Sequence, residues 1–310
     1  MISSIKSFLT LIKNNISMKL RLSEIIKKKL LCMPIRDSEA RHKIRDGYIE
    51  SVCQKRLQRQ KWGVSYSVFD GEELLEASLQ SIRNSVQHIV VVYQLVSWYG
   101  VPASPQLLPL LQELKSKGLI DELLEFKPKL GIKAVRNETA KRNMGLHACR
   151  KAGCTFYMAM DSDEFYLESE IEAAKHFIIM NDVTHSYCSI CTHGINPASI
   201  QPSNTYYVQF FSRISRFSRH LNCGHSVALV DPSRKMKHLR WWQGGSKHYV
   251  LHNVRMHHFS YIRKDLKKKF SNSSHPGVRN YTKDNVTSYE SYEGVDYFGL
   301  NKLIATWTED

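Results

Sequence analysis

Residues 156–164 read Phe-Tyr-Met-Ala-Met-Asp-Ser-Asp-Glu. Five apolar residues in a row fit one strand buried on both faces, as in the interior of a parallel sheet. This strand delivers three carboxylates within four residues, Asp161, Asp163 and Glu164. Like charges so close repel, and after a buried strand they cost stability unless a cation sits among them. A hard divalent ion, Mn²⁺ or Mg²⁺, is the natural partner, because such ions take carboxylate oxygens and are commonly held by one or two of them plus substrate phosphates. A solvated acidic turn or a first helical turn would account for Asp-x-Asp alone. The position directly after a buried strand favours the metal.

Working outward, residues 138–151 have helical periodicity with Ala140, Met144, Ala148 and Cys149 toward the interior and a stop near Gly153. Further upstream, residues 64–69 form a strand-like run that ends in Asp70-Gly71-Glu72-Glu73. Leu74, Leu75, Leu79 and Ile82 then recur at helical spacing, and residues 89–93 are a short β-branched run. Residues 107–117 read as a helix and 123–126 as a third strand. This alternation predicts a βαβ crossover and a mostly parallel sheet, whose ligand sites lie beyond the carboxyl ends of the strands. The Asp70 loop is one such end.

The chain has 310 residues, 42% of them hydrophobic, which excludes disorder over most of its length. Its formal net charge is +15. Residues 1–62 hold 15 Lys and Arg against 5 Asp and Glu, so this fifth of the chain carries most of the excess. Ile44, Tyr48, Ile49 and Val52 recur there at helical spacing, and residues 38–41 read as a helix start. The expectation is a basic helical extension able to lie on an anionic membrane, at about 1 kcal/mol per basic residue. Gripping nucleic-acid phosphates or packing as a solvated appendage are the alternatives. No stretch approaches the ~18 apolar residues of a membrane span, and residues 1–20 make a poor signal peptide. Seven scattered cysteines do not suggest a disulfide framework. A reducing cytoplasm, with peripheral attachment to the inner face of the membrane, is the expected setting.

Residues 64 to about 170 resemble the GT-A nucleotide-sugar glycosyltransferases, in particular the family-2-like bacterial enzymes. The resemblance rests on an ordered set: the strand with its acidic loop at Phe69 to Glu73, the helix with Ser78, Leu79, Ser81 and Ile82, the Val-rich second strand, Lys141-Arg142-Asn143-x-Gly145, and Asp161-x-Asp163. It implies a Rossmann-related α/β fold, a mixed and largely parallel sheet flanked by helices. The catalytic domain would span residues 63–263, between the basic extension of 1–62 and an acceptor-side or appended segment of 264–310. It further implies transfer of a sugar from a nucleotide-sugar donor to a glycan or lipid-linked acceptor, of cell-surface polysaccharide or lipopolysaccharide type. By position, Phe69, Asp70 and Glu72 would lie near the nucleoside and Lys141, Arg142 and Asn143 near the donor, although Asn143 also suits a packing role. Asp161 and Asp163 would hold Mn²⁺ or Mg²⁺ between the donor phosphates, with His257 or His258 completing the shell. A metal and nearby basic side chains stabilise the negative charge that develops on a departing nucleoside diphosphate.

The sequence departs from that pattern in two places. The second strand ends in Tyr93-Gln94 where the family commonly has an acidic pair. No acidic pair matches the usual catalytic base, which leaves Asp231, after an apolar run, and Glu168 as candidates to deprotonate the acceptor hydroxyl. Lys237-x-x-Arg240-Trp241 is similar to the acceptor motif of processive members, yet no membrane channel accompanies it. Trp241-Trp242-Gln243-Gly244-Gly245 suits a sugar platform or mobile loop, or simply a core.

Seven of the 14 histidines fall within residues 220–258. Residues 255–261 read as a strand, so His257 and His258 should face opposite sides. A rival constellation, His185-x-x-Cys188-x-x-Cys191-x-His193, has zinc-ligand residue types. In a strand, however, Cys188 and Cys191 point to opposite faces, which argues against one shared ion. Two other classes compete with the transferase. Clustered carboxylates also suit a metal-dependent phosphoryl-transfer enzyme or nuclease. Charge alone suits a noncatalytic nucleic-acid-binding protein, but no finger, RNP-like pattern or helix-turn-helix is evident, so nucleic acid is disfavoured. Mutual repulsion of the carboxylates predicts that Asp161→Ala and Asp163→Ala abolish turnover and leave the fold intact.

Overall fold

A computed structural model describes residues 38–200, 206–221, 230, 234–237, 246–271 and 292–307. These fall into two units that part between Arg56 and Leu57. The first holds most of helix α1 (Ser38–Gln58), which begins where Ser38 was expected to start one. Most of the basic extension read from residues 1–62 lies outside the described residues, as do Asp231 and the Trp241 to Gly245 run.

The second unit opens with β1 (Trp62–Val68), α2 (Glu72–Arg83), β2 (His88–Tyr93), α3 (Leu107–Ser116), β3 (Glu122–Glu125), α4 (Ala134–Lys151) and β4 (Phe156–Asp161). These follow the strand and helix alternation of the sequence closely. Next come β5 (Glu164–Phe165), α5 (Glu168–Met180), β6 (His185–Thr192), β7 (Ser199–Ile200), β8 (Tyr207–Arg213), β9 (Arg219–His220), β10 (Met236–Lys237) and β11 (His248–His258). The described chain closes with α6 (Leu266–Ser271), β12 (Tyr292–Glu293) and α7 (Leu300–Thr306).

Eight strands form one sheet in the order β3-β2-β1-β4-β8-β6-β11-β5. The pairs β1–β2, β1–β4, β2–β3 and β6–β11 are parallel, while β8 and β5 run against their neighbours. This is the mixed, largely parallel α/β architecture expected. Helix α4 lies against β1 and β2, α2 meets β1 through the Tyr66–Ser78 hydrogen bond, and Val90, Val91 and Val92 are all buried, as an unbroken apolar run in the interior of a parallel sheet should be. Leu74, Leu75, Leu79 and Ile82 form the buried face of α2. Trp62 stacks on Phe156 at 4.3 Å between ring centroids and anchors the start of the sheet.

Helix α4 departs from expectation. Its inward face carries Asn137, Lys141, Arg142, Gly145 and Cys149, whereas Ala140 is exposed. Lys141 and Arg142 turn inward because carbonyls and carboxylates at the strand ends compensate their burial, which apolar side chains at those positions could not do. Gly145 lets the helix backbone approach β1, since a Cβ there would run into Ser65.

The described residues 292–307 of the C-terminal segment pack on the sheet domain. Leu300, with Phe298, Leu303, Ile304 and Trp307, joins Leu74, Phe165, Phe259 and Ile262 in a second apolar core beside β5. Strand β12 pairs with β7.

Candidate active site

The central feature is the end of β4. In the order β3-β2-β1-β4 the chain builds toward β3 on one side of β1 and toward β4 on the other, a switch point beyond whose carboxyl strand ends such sheets form the crevice for their ligands. Two loops meet there. The loop after β1 holds Phe69, Asp70 and Gly71, all at least partly buried, and Ser162 Oγ of the loop after β4 donates to the Asp70 carbonyl at 3.1 Å. Gly71 has φ of 77°, and a Cβ at this position would strike Arg263 and Ser162. Only glycine closes this turn without strain.

The three carboxylates of the β4 loop meet four basic side chains. Asp161 Oδ2 accepts from Arg142 Nη2 at 3.2 Å and from Arg234 Nη2 at 2.7 Å. Arg234 Nη1 also donates to Glu164 Oε2 at 2.9 Å, and its Nη2 contacts Glu164 Oε1. Asp163 Oδ2 accepts from Arg263 Nη2 at 2.5 Å and Lys269 Nζ at 3.0 Å, and His258 Nε2 stands 3.7 Å from it. Asp163 is 2% exposed while the Asp161 side chain is 32% exposed. Burial by itself would raise both carboxyls, but the cations outweigh it: Arg142 and Arg234 hold Asp161 at about 2, and Lys269, Arg263 and His258 hold Asp163 well below the usual range. Both carry charge at neutral pH.

These ion pairs correct the repulsion argument. The cations demanded by the acidic loop are present as protein side chains, so Asp163 is the charge partner of buried Arg263, and its removal is expected to cost stability rather than relieve repulsion. Asp163 and His258 offer a carboxylate oxygen and an imidazole nitrogen 3.7 Å apart, donor types that favour Mn²⁺ over Mg²⁺; with the more exposed Asp161 they do not converge as a three-ligand group, which among the described residues only Cys191, His193 and His257 do. His257, on the opposite face of β11, turns away from Asp163 and hydrogen-bonds His193.

The other expected residues separate into those that line the crevice and those that support it. Phe69, Asp70 and Glu72 stand at its β1 side. Lys141 is 2% exposed, and its Nζ donates to the Val68 carbonyl at 2.7 Å and to Gln94 Oε1 at 3.1 Å. It ties the ends of β1 and β2 together instead of reaching outward, and burial lowers it to about 7. Gln94, one of the positions at which the sequence departs from the resembled pattern, is its acceptor. Asn143 accepts from the His220 amide at 2.8 Å and donates to its carbonyl at 3.0 Å, so it clamps β9 and has the packing role. Arg142 is buried behind Asp161. Glu168 is exposed in the first turn of α5, with Asn84 Nδ2 at 3.4 Å. Asn84 caps the carboxyl end of α2, which runs away from the Asp70 loop, so Glu168 is not brought to the crevice.

Arg234 and Arg263 were missed. Arg234 lies in an unpatterned polar stretch, and Arg263 follows a strand by five residues; neither position has a local signal that distinguishes it from a solvated base. Arg263 Nε and Nη1 are buried without a hydrogen-bond acceptor beside the Asp70 loop, so the guanidinium has donor capacity to spare for an anion. Raised by Asp163 against burial, it stays charged. A basic groove on the far side of α4 is lined by Asn143, His147, Arg150, Arg216, Arg219 and Lys237.

No protein-family model matches the sequence, and no curated protein matches it. Among solved structures the chain is similar to S. aureus TarS, at 15% identity over 43% of this chain and 22% of that one, with a TM-score of 0.32. S. aureus TarS 1-349 in complex with UDP-GlcNAc is similar at 17% identity over 44% of this chain and 36% of that one, with a TM-score of 0.32. GalNAc-T7 with UDP, GalNAc and Mn²⁺ is similar at 11% identity over 68% of this chain and 46% of that one, with a TM-score of 0.41. The chain therefore spans less than half the length of each.

Proposed function

We propose that the chain is a GT-A-type glycosyltransferase that moves a sugar from a nucleotide-sugar donor to a glycan or lipid-linked acceptor of cell-surface polysaccharide type. The observation that carries this reading is the Asp161 and Asp163 pair at the carboxyl end of β4, joined through Ser162 to the Asp70 loop and surrounded by Arg142, Arg234, Arg263 and Lys269. A nucleoside diphosphate is the ligand whose chemistry matches such a crevice. Its sugar and base suit the half-buried Phe69, Asp70 and Glu72, and its phosphates suit the spare donors of Arg263 and the ammonium of Lys269.

Asp163, His258 and Asp161 are the residues that would hold Mn²⁺. The ion would neutralise charge on the leaving phosphates, as metals do in phosphate displacement. Lys269 pairs with the same carboxylate oxygen and would give way to the ion. Arg142 and Arg234 keep Asp161 ionised and oriented, and Lys141 fixes the end of β1, from which the Asp70 loop starts. Asp231 remains the proposed base. The basic residues of 1–62 would bring the enzyme to an anionic membrane carrying its acceptor, on the cytoplasmic side. Among the described residues no helix is long and apolar enough to cross a membrane.

The test is thermal stabilisation of the full chain by UDP, GDP, CMP and their sugar conjugates, with and without Mn²⁺. A ligand at 100 times its Kd adds about 2.7 kcal/mol to the native state, several degrees in Tm for a domain of this size. One nucleotide should shift Tm in a Mn²⁺-dependent way, and His258→Gln should remove the Mn²⁺ dependence. No shift with any nucleotide, together with tight and salt-sensitive binding to DNA or RNA, would replace this reading with nucleic-acid binding.

A further inference from the structure

The zinc-ligand residue types of β6 do not act as a set of four, yet part of that set converges with a residue from another strand. In the parallel pairing of β6 with β11, Cys191 lies opposite His257, and His193, two residues on from Cys191, returns to the same face. The Cys191 sulfur and one ring nitrogen each of His193 and His257 lie within 4.8 Å of one another, and all three residues are buried. His185 and Cys188 are not part of this group: His185 Nδ1 bonds Ser212 Oγ at 3.0 Å.

The hydrogen bonds around the pair of histidines are those of a ligand set. His193 Nδ1 lies 2.6 Å from the Pro197 carbonyl, which can only accept, so Nδ1 carries the proton and Nε2 presents a lone pair. A metal-bound histidine is held in this way by a backbone carbonyl at its second nitrogen. His193 Nε2 faces His257 Nδ1 at 2.9 Å, so without an ion His257 donates to the His193 lone pair, and the Nε2 of His257 is the position left to take that proton when an ion binds. That Nε2 is buried without a partner, in a residue 1% exposed. An unpaired buried nitrogen is costly, and of the rings around it, Phe259, Phe298 and Tyr297, none hydrogen-bonds it.

We propose that Cys191, His193 and His257 bind a Zn²⁺ ion on the face of β6 and β11 opposite His258. One thiolate and two imidazoles suit zinc, and not the hard ion suited to Asp163. Zinc–nitrogen bonds of about 2.0–2.1 Å place two tetrahedral nitrogens about 3.3 Å apart, a few tenths of an ångström beyond the present histidine pair. On binding, the Cys191 thiol releases its proton to solvent. The His257 proton moves from Nδ1 to the partnerless Nε2, freeing Nδ1 to ligate, so the hydrogen bond between the two histidines is exchanged for two zinc–nitrogen bonds. Water takes the fourth position. The site pins the carboxyl ends of β6 and β11 and so fixes the strand that carries His258 to Asp163.

The experiment measures metal in the full chain purified with zinc and then dialysed, and follows its titration with Co²⁺ after zinc removal. The expected result is about one zinc per chain and, with Co²⁺, thiolate-to-cobalt charge-transfer absorption in the near ultraviolet. Cys191→Val should lose that absorption; Cys188→Ser and Asp161→Asn should keep it, which separates this site from the crevice metal. X-ray absorption at the zinc edge of the unmodified chain needs no variant and should show sulfur among the ligands. Zinc below a tenth of an equivalent, a zinc edge with only nitrogen and oxygen ligands, or charge transfer that survives Cys191→Val would overturn the proposal.

Discussion

Changing Asp163 to Asn separates a repulsive acidic loop from a charge hub. If Asp161, Asp163 and Glu164 mainly repelled one another, neutralising one would be neutral or stabilising. In the structure Asp163 is the acceptor for Arg263, whose side chain is 3% exposed, and for Lys269. Lys269 can turn to solvent, but Arg263 would be left as a buried cation without its counter-ion, a change that costs about 3–5 kcal/mol. For a domain of this size that is a fall of roughly 6–20 °C in Tm. Asp161→Asn should cost much less, about 1–2 kcal/mol, because Arg142 still pairs with Glu138 and Arg234 with Glu164. Urea unfolding followed by far-ultraviolet circular dichroism measures both, with the double variant Asp163→Asn, Arg263→Met as the control. That variant should recover most of the loss, since it removes the stranded charge with its partner. Asp163→Asn within 0.5 kcal/mol of the parent by the usual scatter of surface changes, or a double variant no more stable than the single, would refute the hub.

Three further outcomes follow from other parts of the structure. In metal-free protein, burial depresses His193 to about 4 and His220 and His257 to about 3. Below the ordinary value near 6.5 the unfolded chain takes up protons that the native one refuses, so stability is full above pH 6.5 and falls as pH drops toward 4. The slope should approach about 3–4 kcal/mol per unit near pH 5, and equal stability at pH 7 and pH 5 would contradict it. Gly145→Ala should lower stability by about 1–3 kcal/mol, as overpacking does, because its Cβ meets Ser65 across the α4–β1 contact; calorimetry showing an unchanged Tm would remove that close approach. Lys269→Ala should tighten Mn²⁺ binding by about tenfold, equivalent to ~1.4 kcal/mol, by removing a cation that shares the Asp163 oxygen. Titration calorimetry showing weaker binding would instead make Lys269 part of the ligand cradle.

The residue pattern determined the order of elements through β4 and the place where the crevice opens. That information is local: an apolar run such as Val90 to Val92 buries itself wherever the chain takes it, and the carboxylates of Asp161 and Asp163 must follow the strand that precedes them. Tertiary structure decided which charges face which. Lys141 and Arg142 have the sequence signature of solvated helix residues, and only the strand ends beneath them supply the carbonyls and carboxylates that make their burial favourable. Arg234 and Arg263 reach the acidic loop from 70 and 100 residues away, distances at which spacing along the chain conveys nothing. The same holds for Cys191, His193 and His257. Strand alternation put Cys188 and Cys191 on opposite faces and correctly separated them, but which histidine stands beside Cys191 depends on the register between β6 and β11, set by long-range pairing.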